Sequence, residues 1–283
     1  MKKFFTAVAL GCAAVMVAVA PPAPAAVPQQ LIVNGSFETG NFTGWGTKDM
    51  ASPFVPLAVR GAGFTPGFGL FATAPTDGSF VADSGFDGCG PDTIAIWQDV
   101  SIPAGEQATL TFDWRVGWNM FAGPTLNRKL DFLVEPSGGG TPLQTTNLVT
   151  TNIATSIVGD TGAQSSTFDL SAFQGSMIRV EVQATIPQCF TGPAHMQLDN
   201  FSLLAEATFT SVCSLTKQLS TKPGVAQSLC AKLDAAAAAD ARAETNAADN
   251  ILDAYEHEVS AQSGKALTAA EAATLTALAE QLK

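Results

Sequence analysis

Residues suited to catalysis are scarce in this chain of 283 residues. It holds 2 histidines. His195 stands beside Met196 at the start of an apolar segment, and His257 stands between Glu256 and Glu258 on a helical stretch, where a solvated face is the simplest role. No G-x-S-x-G elbow, P-loop or H-E-x-x-H occurs. Two carboxylates flanking a glycosidic bond make a glycosidase. Asp113 and Glu181 each fall on the polar side of a strand-like run, but no spacing brings them together. Holding a sugar asks for less. An aromatic ring covers the apolar C–H face of a pyranose, and amides, carboxylates or guanidinium groups fix its hydroxyls. Candidates are Trp97 with Gln98, and Trp118, Asn119, Phe121 and Arg128 in the stretch GWNMFAGPTLNR. Phe64, Phe68 and Phe71 in GAGFTPGFGLF could add exposed rings. Trp45 and Trp114 read as core, because each sits in a strand-like or motif position.

The elements that must position these residues read as strands. Leu110, Phe112, Trp114 and Val116 alternate with Thr111, Asp113 and Arg115, a period of two with one buried face. The run from Lys129 to Glu135 repeats this with Leu130, Phe132 and Val134 inward, and the run from Met177 to Ile186 with Ile178, Val180, Val182, Ala184 and Ile186. Ile94 to Ile102 is another strand, and shorter ones are expected at 55–59, 69–73, 79–82, 144–149 and 166–170. Glycine- and aspartate-rich turns separate them, as in Thr76-Asp77-Gly78 and Ser137-Gly138-Gly139-Gly140. Many short strands without intervening helices imply an antiparallel sandwich.

Charge and targeting bound the setting. Net charge is −11, and removing Lys2 and Lys3 would make it −13. So acidic a chain lacks the basic footprint for nucleic acid and for an anionic membrane. Lys2 and Lys3, the apolar run from Phe4 to Ala20 and the small-residue site Ala23-Pro24-Ala25 read as a signal peptide over 1–25. Lipidation at Cys12 and retention of the segment as an anchor are the alternatives. Without Cys12, Cys89, Cys189, Cys213 and Cys230 remain. An even count in an exported chain implies two disulfides, with three connectivities open. Keeping each bridge within one structural region favours Cys89–Cys189 and Cys213–Cys230. No C-x-x-C spacing points to zinc.

Two motifs bracket the strand region. LIVNGSFETGNFTGW runs from Leu31 to Trp45, read as a short strand Leu31-Ile32-Val33 followed by turns at Asn34-Gly35 and Thr39-Gly40-Asn41, and LDNFSL runs from Leu198 to Leu203. Together they resemble the ends of galactose-binding-like jelly-roll domains, the class that includes many bacterial carbohydrate-binding modules. The resemblance covers residues 30–206. It implies a structural Ca²⁺ ligated by Glu38 of the first motif and Asp199 of the last, a hard-oxygen site of the kind calcium prefers. A turn cap at Glu38 and backbone bonds at Asp199 are the plainer alternative. Asp83, Asp87 and Asp92 could line a second Ca²⁺ loop, but their spacing is not that of an EF-hand, and an ordinary disulfide-pinned turn region is the plainer alternative.

Beyond Phe209 glycine thins out and alanine dominates. Four helices are expected over 209–283, with Pro223 at the first turn of the second and a capping-box pattern, Thr268 to Glu271, opening the fourth. This tail resembles small C-terminal helical modules of secreted bacterial proteins. The whole then reads as an antiparallel jelly-roll β-sandwich followed by a small α-helical bundle. The expected role is a secreted, non-catalytic module binding a polysaccharide or glycan. The alternative is a structural or adhesive surface protein whose helical tail docks another protein.

Overall fold

A computed structural model describes residues 28–86, 90–120, 126–152, 154, 156–189 and 192–283. The expected signal segment, Asp87, Cys89 and Phe121 lie outside the described residues.

Twelve strands form two antiparallel sheets. The first sheet contains β1 (Gln29–Gln30), β3 (Val55–Gly61), β4 (Phe80–Phe86), β6 (Glu106–Asn119), β9 (Val158–Asp160), β10 (Gln164–Asp169) and β12 (Ala194–Ala207). Its order is β10-β6-β12-β4-β3, with β9 also on β6 and β1 also on β12. The second contains β2 (Gly46–Lys48), β5 (Asp92–Ser101), β7 (Arg128–Pro136), β8 (Gln144–Thr151) and β11 (Met177–Ile186), in the order β2-β5-β11-β7-β8. The period-two runs bury one face each. Leu110, Phe112, Leu198 and Leu203 of one sheet meet Ile94, Ile96, Phe132, Val180 and Val182 of the other. Phe112 stacks on Phe201 with centroids 4.7 Å apart and reaches Phe132 across the core at 5.8 Å.

The opening motif is a knot of turns and not a strand. Asn34 and Phe37 take positive φ values of 54° and 57°, which breaks an extended run. The Asn34 amide donates to the carbonyls of Asn41 and Thr43, and the Trp45 indole N–H donates to the carbonyl of Asn34. The knot drives Phe37 and Trp45 against Phe201 of the closing motif, at 6.1 and 4.8 Å between centroids. The strand expected at 69–73 is also absent. Gly67, Phe68 and Gly69 are all left-handed, with φ of 84°, 57° and 75°, so the chain curls into a loop there.

Thr208 directly follows β12 and caps α1 (Phe209–Leu219). Then come α2 (Pro223–Asp240), α3 (Thr245–Gln262) and α4 (Ala269–Glu280), the last opened by the reciprocal Thr268–Glu271 capping box. Val212, Leu229, Leu233, Leu252, Tyr255, Val259 and Leu275 form a second core. The Cys213–Cys230 disulfide joins α1 to α2. The bundle packs on the turn between β5 and β6, where Gly105 has φ +81° and a Cβ would stand 2.6 Å from Leu278 and 2.7 Å from Leu215. Among the described residues no helix is long and apolar enough to cross a membrane.

Candidate functional site

The outer face of the β2-β5-β11-β7-β8 sheet carries side chains of the kind a sugar site needs. Register sets them in rows. Gly46, Trp97, Glu181, Leu133 and Thr145 lie side by side across the strands. One row on one side are Asp99, Arg179 and Glu135, and on the other Lys48, Ala95, Gln183, Asp131 and Asn147. The indole of Trp97 lies over Gly46, where a Cβ would collide with the ring. Arg179 sits 4.9 Å from the indole centroid and holds Asp99 through Nε at 2.9 Å and Nη2 at 3.3 Å. This pairing lowers the Asp99 pKa, led by the Arg179 hydrogen bond.

The β7–β8 hairpin tip closes one end of the face. The amide of Gly138 donates to Asp99, and a Cβ on Gly139 would stand 2.9 Å from Arg179 Nη1 and 3.5 Å from Glu135 Oε2. Gly139 also takes φ +89°, so glycine serves both the turn and the close approach. Further along, Gln183 donates to Glu181 at 2.9 Å and Asn147 donates to Asp131 at 2.7 Å. Burial, the largest cause, raises the Glu181 pKa, and the neighbouring Glu135 charge raises it further while the Gln183 bond opposes.

Of the sequence-derived sugar candidates among the described residues, only Trp97 stands on this face. Gln98 is a correction. Its amide is buried, accepts from the Val33 amide at 2.8 Å and donates to the Val33 carbonyl at 3.0 Å, so it pins the opening motif. Arg128 is buried at the end of the sandwich, donates to the Gly192 carbonyl and lines a small cavity together with Trp118. Trp118 lies over Gly159 and donates to the Ser156 carbonyl, and Asn119 ties down the Phe68 carbonyl. Both stand at the loop end of the first sheet, on another part of the molecule. Strand parity already carried this signal. Gln98 shares its parity with Ile94 and Ile96, and Arg128 with Leu130 and Phe132, all inward positions. Reading the rows, however, requires the register, which is why Glu135, Arg179, Gln183, Asp131 and Asn147 were missed.

Glu38 and Asp199 each hold part of one turn, residues 76–80. Glu38 Oε1 accepts from the amides of Ser79 and Phe80 at 2.8 and 2.9 Å. Asp199 Oδ2 accepts from the amides of Thr76 and Asp77, and its Oδ1 from the amide of Asn200. N–H groups aimed at these oxygens oppose a cation in the same place. Among the described residues no cluster of three His, Cys, Asp or Glu side chains could hold a metal. These amide bonds are the plainer alternative to the calcium that the resemblance implies. Burial raises the Asp199 pKa as the largest cause, and its backbone bonds pull the other way.

Three other groupings dissolve. Asp113 lies on β6 beside Asn200, in the other sheet from Glu181, so they form no catalytic pair. Asp83 is fully buried with Arg60 at 2.7 Å and His195 at 3.1 Å, while Asp92 pairs with Lys48. They line no common loop. Phe64 and Phe71 pack on His195, at 6.2 and 4.3 Å between centroids, and Phe68 stays exposed beside Phe54. His257 is exposed on α3. Cys189 is disulfide-bonded, and Cys89 lies outside the described residues. Among the described residues no large hydrophobic side chain on the four helices is exposed.

No family model matches the chain, and no curated protein does either. Solved structures resemble it in chain path. One is TmCBM61 in complex with beta-1,4-galactotriose, at 17% identity and a TM-score of 0.41, covering 63% of this chain and 99% of that one. Another is the CBM22-1 xylan-binding domain from Paenibacillus barcinonensis Xyn10C, at 16% identity and 0.36, covering 65% and 97%. A third is Caldicellulosiruptor saccharolyticus CBM27-1 in complex with mannohexaose, at 14% and 0.36, covering 63% and 96%. These structures are carbohydrate-binding β-sandwich domains; the two-sheet architecture of this chain rests on its own strand pairing, and no residue role is carried over from them.

Proposed function

We propose that this chain is a secreted glycan-binding module and that its binding face is the outer face of the β2-β5-β11-β7-β8 sheet. The observation that carries the reading is the row in which Trp97 stands directly opposite Glu181, flanked by Gln183 and Arg179. The ring supplies apolar contact to a sugar face, and the flanking groups supply acceptors and donors to its hydroxyls. A sheet face of this kind takes an extended chain of sugars, because rows of polar groups repeat along it. The glycine-rich hairpin tip bounds the face at the Asp99 end.

The test is binding of the purified chain to a glycan array and to insoluble polysaccharides, with Trp97→Ala and Trp118→Ala compared. Binding that is lost in Trp97→Ala and kept in Trp118→Ala supports the face. Binding that survives Trp97→Ala rules it out.

A further inference from the structure

Glu135 and Glu181 set an electrostatic problem that the neighbouring Arg179 offsets only in part. They stand on adjacent strands of the same face, on a diagonal, because Glu181 lies opposite Leu133 and Glu135 opposite Arg179. Diagonal neighbours in a sheet are about 7–8 Å apart at the backbone. Both are buried, at 8% and 7% exposure, although their strand positions point away from the core. Neither has an ion-pair partner among the described residues. Glu135 makes no hydrogen bond among them, while Glu181 accepts only from Gln183.

The cations of the face are shared among its carboxylates: Arg179, directly opposite Glu135, also feels the charges of Glu135 and Glu181. Arg179 is paired with Asp99, and Lys48 with Asp92 at 3.2 Å. Lys129 lies further along β7, opposite Thr185 and Thr150. Asp131 is the remaining carboxylate of the face and takes Asn147 as donor. The floor beneath the bound sugar is therefore negative beside an indole. Two partly desolvated carboxylates near each other gain most from a cation placed between them.

We infer that Glu135 and Glu181 recognise a protonated amine, so that the glycan taken by this face carries free amino groups, as in polymers of glucosamine. This rests on the proposed glycan-binding face and adds its chemical selectivity. An uronate or sulfated chain meets like charge there. An N-acetylated chain brings no further cation to the two carboxylates.

The test is calorimetric titration of the purified chain with short glucosamine oligomers, their N-acetylated counterparts, neutral β-glucan oligomers, oligolysine and Ca²⁺. Free-amine oligomers are expected to bind about tenfold more tightly than the acetylated ones, a difference of ~1.4 kcal/mol. The Glu135→Gln/Glu181→Gln double variant is expected to lose this preference and keep its affinity for acetylated oligomers. In the unaltered chain, added salt is expected to shrink the preference and leave neutral-sugar binding unchanged, a readout that stands even where the variant fails to fold. Equal or weaker binding of the free-amine oligomers overturns the inference. So does oligolysine or Ca²⁺ binding as tightly as the amino sugar. If acetylated or neutral sugars win and Trp97→Ala abolishes them, the face survives and only its amine selectivity falls. If no sugar binds, both readings fall.

Discussion

The indole of Trp97 occupies the space that a side chain on Gly46 would fill, directly across the β5–β2 pair. An edge strand with a glycine at this point lets the largest side chain of the face lie down over it. Trp118 and Gly159 repeat the arrangement across β6 and β9. The first pair orients the proposed platform, and the second closes a loop end.

Gly46→Ala should therefore push the indole off β2. Gly46 carries no positive φ, so the cost is collision and not backbone strain. Overpacking of this kind costs about 1–3 kcal/mol, towards the lower end at an edge where the ring can turn. Denaturant unfolding should show the loss, and tryptophan fluorescence should shift. An unchanged spectrum would mean that the ring does not rest there.

Glu181→Gln should stabilise the fold at neutral pH. Burial, then the Glu135 charge, raises the Glu181 pKa. A carboxylate with a raised folded pKa favours folding fully below its unfolded value, and loses that contribution as pH rises through the folded one. At pH 7 the ionised side chain is therefore a liability, and a neutral isostere removes it. The expected gain is on the order of 1 kcal/mol. It should vanish in acid, below the ordinary glutamate value of about 4.3. Thermal unfolding of both proteins across pH measures the difference; a loss of stability at pH 7 would contradict it.

Excess Ca²⁺ and EDTA should give the same unfolding midpoint, because amides of 76–80 already take the oxygens of Glu38 and Asp199. Asp199→Ala strips acceptors from the Thr76 and Asp77 amides and should cost about 1–3 kcal/mol. A calcium-dependent rise in midpoint that Asp199→Ala removes would restore the metal.

Separate spectroscopic reporters serve the two cores. All 4 tryptophans lie in the strand region, and the 1 tyrosine, Tyr255, is buried in the bundle. Replacing Cys213 and Cys230 by alanine removes a link across 17 residues, worth about 3 kcal/mol by loop entropy. Far-UV circular dichroism should register a weaker bundle, with tryptophan fluorescence unchanged. Burial, opposed by the Thr216 bond, pushes the Tyr255 pKa up to about 12 from 10.0. Its contribution to stability is complete below 10 and lost as pH rises towards 12, so phenolate absorbance should appear together with loss of helix. Ionisation at an ordinary tyrosine pH in a folded bundle would show that the ring is exposed.

Local pattern by itself determined the long strands, the helices and the inward faces. The alternation of Leu110, Phe112 and Trp114 needs no distant partner to be read, and neither does the Thr268–Glu271 cap, because both depend on residues a few positions apart. The opening motif was legible as turn chemistry, though its first apolar residues are held by turns and by Gln98 and form no strand. Tertiary structure alone decided which polar residues meet. Glu181 and Glu135 stand 46 positions apart in the chain, and only the β11–β7 register puts them on one diagonal. A slip of one residue would turn either side chain to the opposite face. Local pattern fixes which way a side chain points; register, set by the packing of both sheets, fixes its neighbours, and the chemistry proposed for this face is a property of neighbours.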